Sequence, residues 1–185
     1  MKRKKILITG GAGFLGTHLV EYLLRKGNHE IVIFDKLEHH KREKYGEKVI
    51  YFKGNIIDKQ DVSKVFKMYS PFYTVYHLAG AMPNKAVSDD VLWRTNVFGT
   101  INFVSESVKN KVKSFVFTSS NVAYGIPQTL PVTEETPLLP IEIYGKSKAE
   151  AEKELAIFKK HINIQIFRCT VIAGVGRLGL QAILF

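Results

Sequence analysis

The chain has 185 residues, 45% hydrophobic and 24% charged, a balance that excludes a disordered or fibrous polypeptide and suffices for one core. A formal net charge of +10 points toward anionic partners, but lysines such as Lys44, Lys64, Lys109 and Lys159 are scattered without a basic footprint; a phosphate-bearing small molecule is expected and nucleic acid is not. The single cysteine, Cys169, excludes an intrachain disulfide and a Cys-rich metal site and fits a reducing cytoplasm, while no apolar run is long enough for a signal-peptide core or a membrane span.

The predicted elements alternate along the chain. Residues 5–9 are a short apolar run ending in glycines, and residues 12–26 carry Phe14, Leu15, Leu19, Tyr22 and Leu23 at helical spacing, which predicts strand, tight turn, helix. Gly27 and Asn28 close that helix, and residues 30–34 form a second strand ending at Asp35. After a charged loop over 36–48 come a strand over 49–52 and a helix over 59–69 that Pro71 stops. A strand over 72–78, a long helix over 89–109, a strand over 114–118, a helix over 143–160 and a strand over 162–168 complete the series. Strands this apolar, each separated by a helix, must be covered on both faces, which predicts an α/β, doubly wound parallel sheet of order 3-2-1-4-5-6. No linker or repeat divides it.

The turn Thr9-Gly10-Gly11-Ala12-Gly13-Phe14-Leu15-Gly16 satisfies two overlapping glycine templates. It follows the first strand, opens a helix, and is answered by Asp35 at the end of the next strand, the context of a dinucleotide site. A side chain at Gly13 would hold the backbone away from a pyrophosphate, and the helix N-terminus offers that anion N–H groups and partial positive charge. Asp35 would accept from adenosine ribose hydroxyls and repel a 2′-phosphate. NAD is thus favoured over NADP, with Lys36 and the Lys41–Arg42 pair pulling the other way.

Tyr144 and Lys148 are four residues apart in Tyr144-Gly145-Lys146-Ser147-Lys148, on one face of a predicted helix. Bringing a phenol from a pKa near ~10 to neutrality takes roughly 3 units, about 4 kcal/mol, and one close ammonium in a partly dry site is a plausible source. Tyr144 is then the general base or acid for a substrate hydroxyl. Ser120, expected just past the fifth strand at the carboxyl edge of the sheet, can bridge the substrate oxygen and the tyrosine. His77 is read as a packed core histidine, His39 and His40 as a loop pair, and no metal site is predicted.

Five motifs taken together resemble the extended short-chain dehydrogenases/reductases, the NAD-dependent epimerase/dehydratase family, of nucleotide-sugar epimerase type. They are T-G-G-A-G-F-L-G from Thr9, H-L-A-G from His77, N-V-F-G-T from Asn96, T-S-S-N-V-A-Y-G from Thr118 and Y-G-K-S-K from Tyr144. The resemblance implies a Rossmann domain over 1–176 that binds NAD through Gly10, Gly13, Phe14, Leu15, Gly16, Asp35, Lys36, Asn55, Ile56, Leu78, Ala79, Gly80 and Asn96. It implies Ser120, Tyr144 and Lys148 as the catalytic group, with Lys148 also holding the nicotinamide ribose. In the family, the tyrosine removes a sugar hydroxyl proton as hydride passes to NAD, and an epimerase returns the hydride to the other face. Family members also pair through the helices bearing Trp93, Phe98 and Tyr144, which allows a homodimer; the alternative is that the two aromatics face the sheet.

The chain departs from the family in four places. Asn55 stands where an aspartate usually accepts from the adenine amino group, and its amide oxygen can still accept. Val171 stands where the family has a substrate-binding asparagine, before Gly174-Val175-Gly176. Asn121-Val122 replaces the Asp-Glu pair of sugar 4,6-dehydratases, which disfavours dehydration and leaves an epimerase or an NAD(P)-dependent ketoreductase. Finally, the family continues past the sixth strand into a substrate domain, so residues 177–185 are expected to be the start of a truncated region, and this chain to bind NAD with little turnover. A non-catalytic NAD-binding sensor is the alternative of a different class, and an engineered or prematurely ended fragment is a third reading.

Overall fold

Alternation within a single strand decides how the layers form. In β1 (Lys4–Thr9), Leu7 turns to one side of the sheet and Ile6 and Ile8 to the other, and all three are buried. The computed structural model describes residues 3–37 and 45–174.

The remaining strands are β2 (His29–Asp35), β3 (Val49–Lys53), β4 (Thr74–His77), β5 (Ser114–Ser120) and β6 (Asn163–Cys169). They form one parallel sheet in the order β3-β2-β1-β4-β5-β6, the predicted Rossmann-like order. The helices are α1 (Phe14–Lys26), α2 (Lys59–Tyr69), α3 (Asp89–Trp93), α4 (Gly99–Lys109) and α5 (Ile143–Phe158). Val20 and Leu23 of α1 join Ile6, Ile8, Ile31 and Ile33 on one face. On the other, Phe66 of α2, Phe103 of α4 and Leu155 of α5 cover Leu7, Phe34, Phe115 and Phe117. Each such large side chain, buried whole, contributes roughly 1.5–3 kcal/mol.

Local chemistry sets the boundaries. Gly27 ends α1 in the left-handed region at φ 77°, its N–H reaching the Leu23 and Leu24 carbonyls, and the Asp58 carboxylate caps α2 by accepting from the Gln60 N–H at 2.7 Å.

Three expectations need correction. The helix expected over 89–109 is interrupted by a π-helical turn, Arg94–Phe98, between α3 and α4. Asn96 there is buried and bonded across the fold, and that tertiary demand overrides the 3.6-residue repeat. β5 runs through Ser120, which is the strand's last residue and not the first beyond it; pairing with β6 continues to Ser120↔Cys169 and carries the strand on. β4 begins only at Thr74, because Phe72 turns into the core ahead of the pairing. Phe98 is 47% exposed. His39, His40, the Lys41–Arg42 pair, Val175, Gly176 and residues 177–185 lie outside the described residues. Among the described residues, no helix is long and apolar enough to cross a membrane.

Candidate functional site

β1 and β4 are neighbours whose connections leave in opposite directions, so the sheet opens at their carboxyl ends. A cavity of about 880 Å³ lies there, walled by the turn after β1, the loop after β4, the end of β5 and the start of α5.

The glycine turn forms one end. A Cβ at Gly16 would stand 2.2 Å from the Gly10 carbonyl oxygen and 2.6 Å from Gly11 Cα, so α1 can pack onto the turn only with glycine there. At Gly13 the nearest atom to a built Cβ is the Gly10 oxygen, at 3.2 Å, and its backbone, φ −74° and ψ 175°, suits any residue. The glycine at 13 therefore matters for the space it leaves. No side chain caps α1 and no acidic residue occupies its first turn, so the positive end of its dipole meets no counter-charge from the helix itself. Gly10, Gly13, Phe14, Leu15 and Gly16 all line the cavity.

Asp35 sits behind this turn. Its Oδ2 accepts from the Ala12 N–H and its Oδ1 from the Leu37 N–H, both at 3.0 Å. A carboxylate has lone pairs to spare after two bonds, so it both braces the turn and can accept a hydroxyl. The Gly54 N–H donates to the Asp35 carbonyl at 2.9 Å and brings the loop after β3 alongside. In that loop Asn55 is exposed, with its Oδ1 accepting from the Ile57 N–H at 3.1 Å. Ile56 is buried in the core, its carbonyl accepting from Asn102 Nδ2 at 3.1 Å. Lys36 is exposed. Asp35, Lys36, Asn55 and Ile56 thus stand outside the cavity wall, unlike the glycine turn.

The loop after β4 supplies Leu78 and Gly80 to the wall, and Ala79 and Asn96 stand behind them. The Ala79 N–H donates to Thr9 Oγ1 at 3.2 Å. Asn96 is consumed by scaffolding: its Oδ1 accepts from the Ala81 N–H at 2.7 Å, and its Nδ2 donates to the Ala81 carbonyl at 3.1 Å and to Ser147 Oγ at 3.0 Å. It ties the π-helical turn to the loop and to α5. His77 is the core histidine expected, fully buried. Thr9 Oγ1, already accepting from Ala79, gives its proton to His77 Nδ1 at 2.9 Å. Thr100 Oγ1 donates to the Asn96 carbonyl at 2.6 Å, so it accepts from His77 Nε2–H at 3.1 Å. The partners fix a neutral Nε2–H tautomer, and burial, with Lys148 nearby, holds the pKa down to about 3.

Ser120, Tyr144 and Lys148 line the same cavity. A Cβ at Gly145 would fall 2.6 Å from the Val122 carbonyl oxygen, so that glycine lets the start of α5 rest against the 3₁₀ turn Asn121–Tyr124 that follows Ser120. Tyr144 is half-buried and Lys148 only 4% exposed. The ammonium donates to the Thr118 carbonyl at 2.8 Å and lies 5.9 Å from the Tyr144 ring centre and 4.8 Å from that of Phe117. Burial lowers the Lys148 pKa to about 8, against the opposing pull of Cys169 and Glu152; at neutral pH it stays mostly protonated, a cation beside a phenol in a partly dry site.

Sequence reasoning passed over the network beneath this pair. Glu152, 5% exposed, accepts a hydrogen bond from Ser119 Oγ and a two-pronged one from Arg168, whose Nη2 lies 2.8 Å from Oε2. A signal was available, since Glu152 extends the Tyr144–Lys148 spacing by another four residues on the same helix face. Arg168 was not legible, because its partners arrive through the β5–β6 register, Ser119↔Arg168.

With the geometry established, three comparisons become informative. The chain is 35% identical over 153 residues to a UDP-glucose 4-epimerase of Lactobacillus helveticus, covering 82% of this chain and 46% of that protein. A crystal structure of the Bordetella bronchiseptica enzyme WbmG in complex with NAD superposes with a TM-score of 0.80 at 31% identity, over 90% of this chain and 53% of that one. The UDP-glucose 4-epimerase of Thermotoga maritima, determined with UDP-glucose, gives a TM-score of 0.84 at 29% identity, over 97% of this chain and 61% of that one. The chain thus spans about half the length of the curated relatives it matches. The model of the NAD dependent epimerase/dehydratase family matches residues 6–181; with the glycine turn, the parallel sheet and the Tyr144–Lys148 face, that match assigns the chain to this family.

Proposed function

We propose that residues 1–176 form the NAD-binding unit of a nucleotide-sugar epimerase, with Tyr144, Lys148 and Ser120 acting on the sugar and the Gly10 to Gly16 turn holding the pyrophosphate. The observation that carries this reading is that the glycine turn and the Tyr144–Lys148 pair line one continuous cavity. Bound there, the dinucleotide supplies the hydride acceptor and donor. The positive N-terminus of α1 holds the pyrophosphate, and Asp35 takes the ribose hydroxyls of the adenosine end. Asn55 accepts from the adenine amino group.

The Lys148 ammonium favours the phenolate form of Tyr144, which takes the proton of a sugar hydroxyl and becomes the neutral phenol. Ser120 Oγ accepts from the Val122 N–H at 3.4 Å, leaving its own proton to donate to the sugar oxygen. The relatives named as UDP-glucose 4-epimerases support a nucleotide sugar as the substrate class. They are about twice as long as this chain, and hydride chemistry needs water excluded and the sugar fixed. The exposed side chains of Val91 and Phe98 support pairing of two copies through that face, which sedimentation would test.

Calorimetric titration with NAD and NADP, followed by turnover assays on UDP- and dTDP-sugars, tests the reading. The expected result is NAD binding and at least about tenfold weaker NADP binding. Absence of heat with NAD defeats the cofactor assignment, and conversion of a UDP- or dTDP-sugar supports the substrate class. Tyr144→Phe is expected to leave NAD affinity within about threefold while removing any residual conversion.

A further inference from the structure

Residues 125–142 form a long connection without regular helix or strand between the 3₁₀ turn and α5. Gly125 and Ile126 at one end and Ile141 and Glu142 at the other line the cavity beside Tyr144. Its middle is held from below. The Tyr124 hydroxyl donates to the Thr133 carbonyl at 3.0 Å, and Arg168 Nη1 donates to the Glu134 carbonyl at 3.0 Å and to the Tyr124 oxygen at 2.8 Å. Within the segment the Thr136 N–H donates to the Thr133 carbonyl, and the Leu139 N–H returns to the Tyr124 carbonyl at 3.3 Å.

Arg168 is itself fixed by Glu152. The carboxylate receives Nε and Nη2 of the guanidinium and the Ser119 hydroxyl, with side-chain exposures of 5% for Glu152 and 21% for Arg168. A pair this buried loses most of its hydration, and its Coulomb attraction does little more than recover that loss, so net stabilisation is a poor reason for it. Geometry is a better one. The planar guanidinium is the one side chain whose fork can face a carboxylate on one edge and a phenol and a carbonyl on the other. Glu152 also lies on the α5 face that bears Tyr144 and Lys148, so the connection is indexed to the helix that carries those groups.

We propose that Glu152 and Arg168 are positioning residues, a buried latch that clamps residues 125–142 against the Tyr144–Lys148 helix and so fixes the cavity wall beside the reacting sugar. The inference rests on the reading of the cavity given above, and its test has an arm that needs no cofactor.

Hydrogen–deuterium exchange is measured on the 185-residue chain and on Glu152→Gln, Arg168→Lys and Tyr124→Phe, all without NAD. The amides of Thr136 and Leu139 are expected to exchange roughly tenfold to a hundredfold faster in Glu152→Gln and Arg168→Lys, the range for losing a hydrogen bond to a charged partner. Tyr124→Phe should raise them less, and should serve where either of the others fails to fold. β1 amides should not change. In the second arm, bound NADH should keep its affinity within about threefold in Arg168→Lys, because the glycine turn is untouched, yet lose emission intensity as water reaches the nicotinamide; a general loss of stability would not divide the two readouts this way. Unchanged Thr136 and Leu139 exchange in every folded variant overturns the latch. Failure of the unsubstituted chain to bind NADH, with the exchange effect present, instead overturns the cofactor reading and leaves the latch standing.

Discussion

Gly13→Ala separates binding from folding at the cofactor turn. The residue is the N-cap of α1 at φ −74° and ψ 175°, a backbone any residue adopts, and the built Cβ meets only the Gly10 carbonyl oxygen at 3.2 Å. That contact needs a shift of a few tenths of an ångström. Alanine is a poorer cap than glycine by roughly half a kcal/mol, while restricting the unfolded chain returns about 0.4–1 kcal/mol, so stability should move by less than about 1 kcal/mol. Binding should suffer far more. The methyl group occupies the space in front of the helix N-terminus and removes one charge-assisted hydrogen bond to pyrophosphate, about 1.5–3 kcal/mol, or roughly tenfold to a hundredfold in Kd. Titration calorimetry with NAD at fixed salt, beside thermal melts followed by circular dichroism, reads both quantities. Gly13→Ala binding NAD as tightly as the unsubstituted chain would refute the placement of the pyrophosphate.

Gly16→Ala should act oppositely, costing several kcal/mol in the melt, because its Cβ would overlap the Gly10 backbone oxygen at 2.2 Å, which no side-chain rotation relieves. Lys148 titrates near 8 when folded and near 10.5 unfolded, so between those values the unfolded state binds the extra proton and stability rises with pH. The full cost is present below pH 8; between pH 8 and 9, before the raised Cys169 thiol acts in the opposite sense, melting temperatures should climb in the parent and stay flat in Lys148→Met. His77, held to about 3 against an ordinary 6.5, costs stability progressively as pH falls through that interval, and His77→Asn should show a shallower acid slope in melts from pH 6.5 to 4. Asp35→Asn keeps an acceptor for the Ala12 N–H but removes the charge that repels a 2′-phosphate; the NAD-over-NADP affinity ratio should fall by roughly tenfold, and an unchanged ratio would remove Asp35 from the selection.

The sheet was legible because each strand announces itself by an apolar run and each crossover by a helical repeat, and parallel pairing leaves few orders for such a series. Gly10 and Gly16 were legible for a related reason: backbone contact admits no substitute there, so the requirement is written in the residues themselves; Gly13 was legible through the space a pyrophosphate would need. Tyr144 and Lys148 were legible through helical spacing, though not the depth of Lys148, which depends on Phe117 and Thr118 closing over it from β5. The π-helical turn left no local trace, since Arg94–Phe98 yields the ordinary repeat to let Asn96 reach Ala81 and Ser147. Arg168 was equally hidden. Its partners at residues 119, 124, 134 and 152 come from β5, the 3₁₀ turn, the long connection and α5, and only the assembled fold brings them together. Local requirements are readable in a single chain; those imposed across the fold are not.

A crystal structure of this chain grown with NAD would show where each end of the dinucleotide lies. The account predicts the pyrophosphate against the N-terminus of α1 at Gly13 and the nicotinamide ribose within hydrogen-bond distance of Lys148, with Tyr144 facing the nicotinamide ring. A dinucleotide seated elsewhere on the sheet, or one whose nicotinamide end points away from Tyr144, would contradict it.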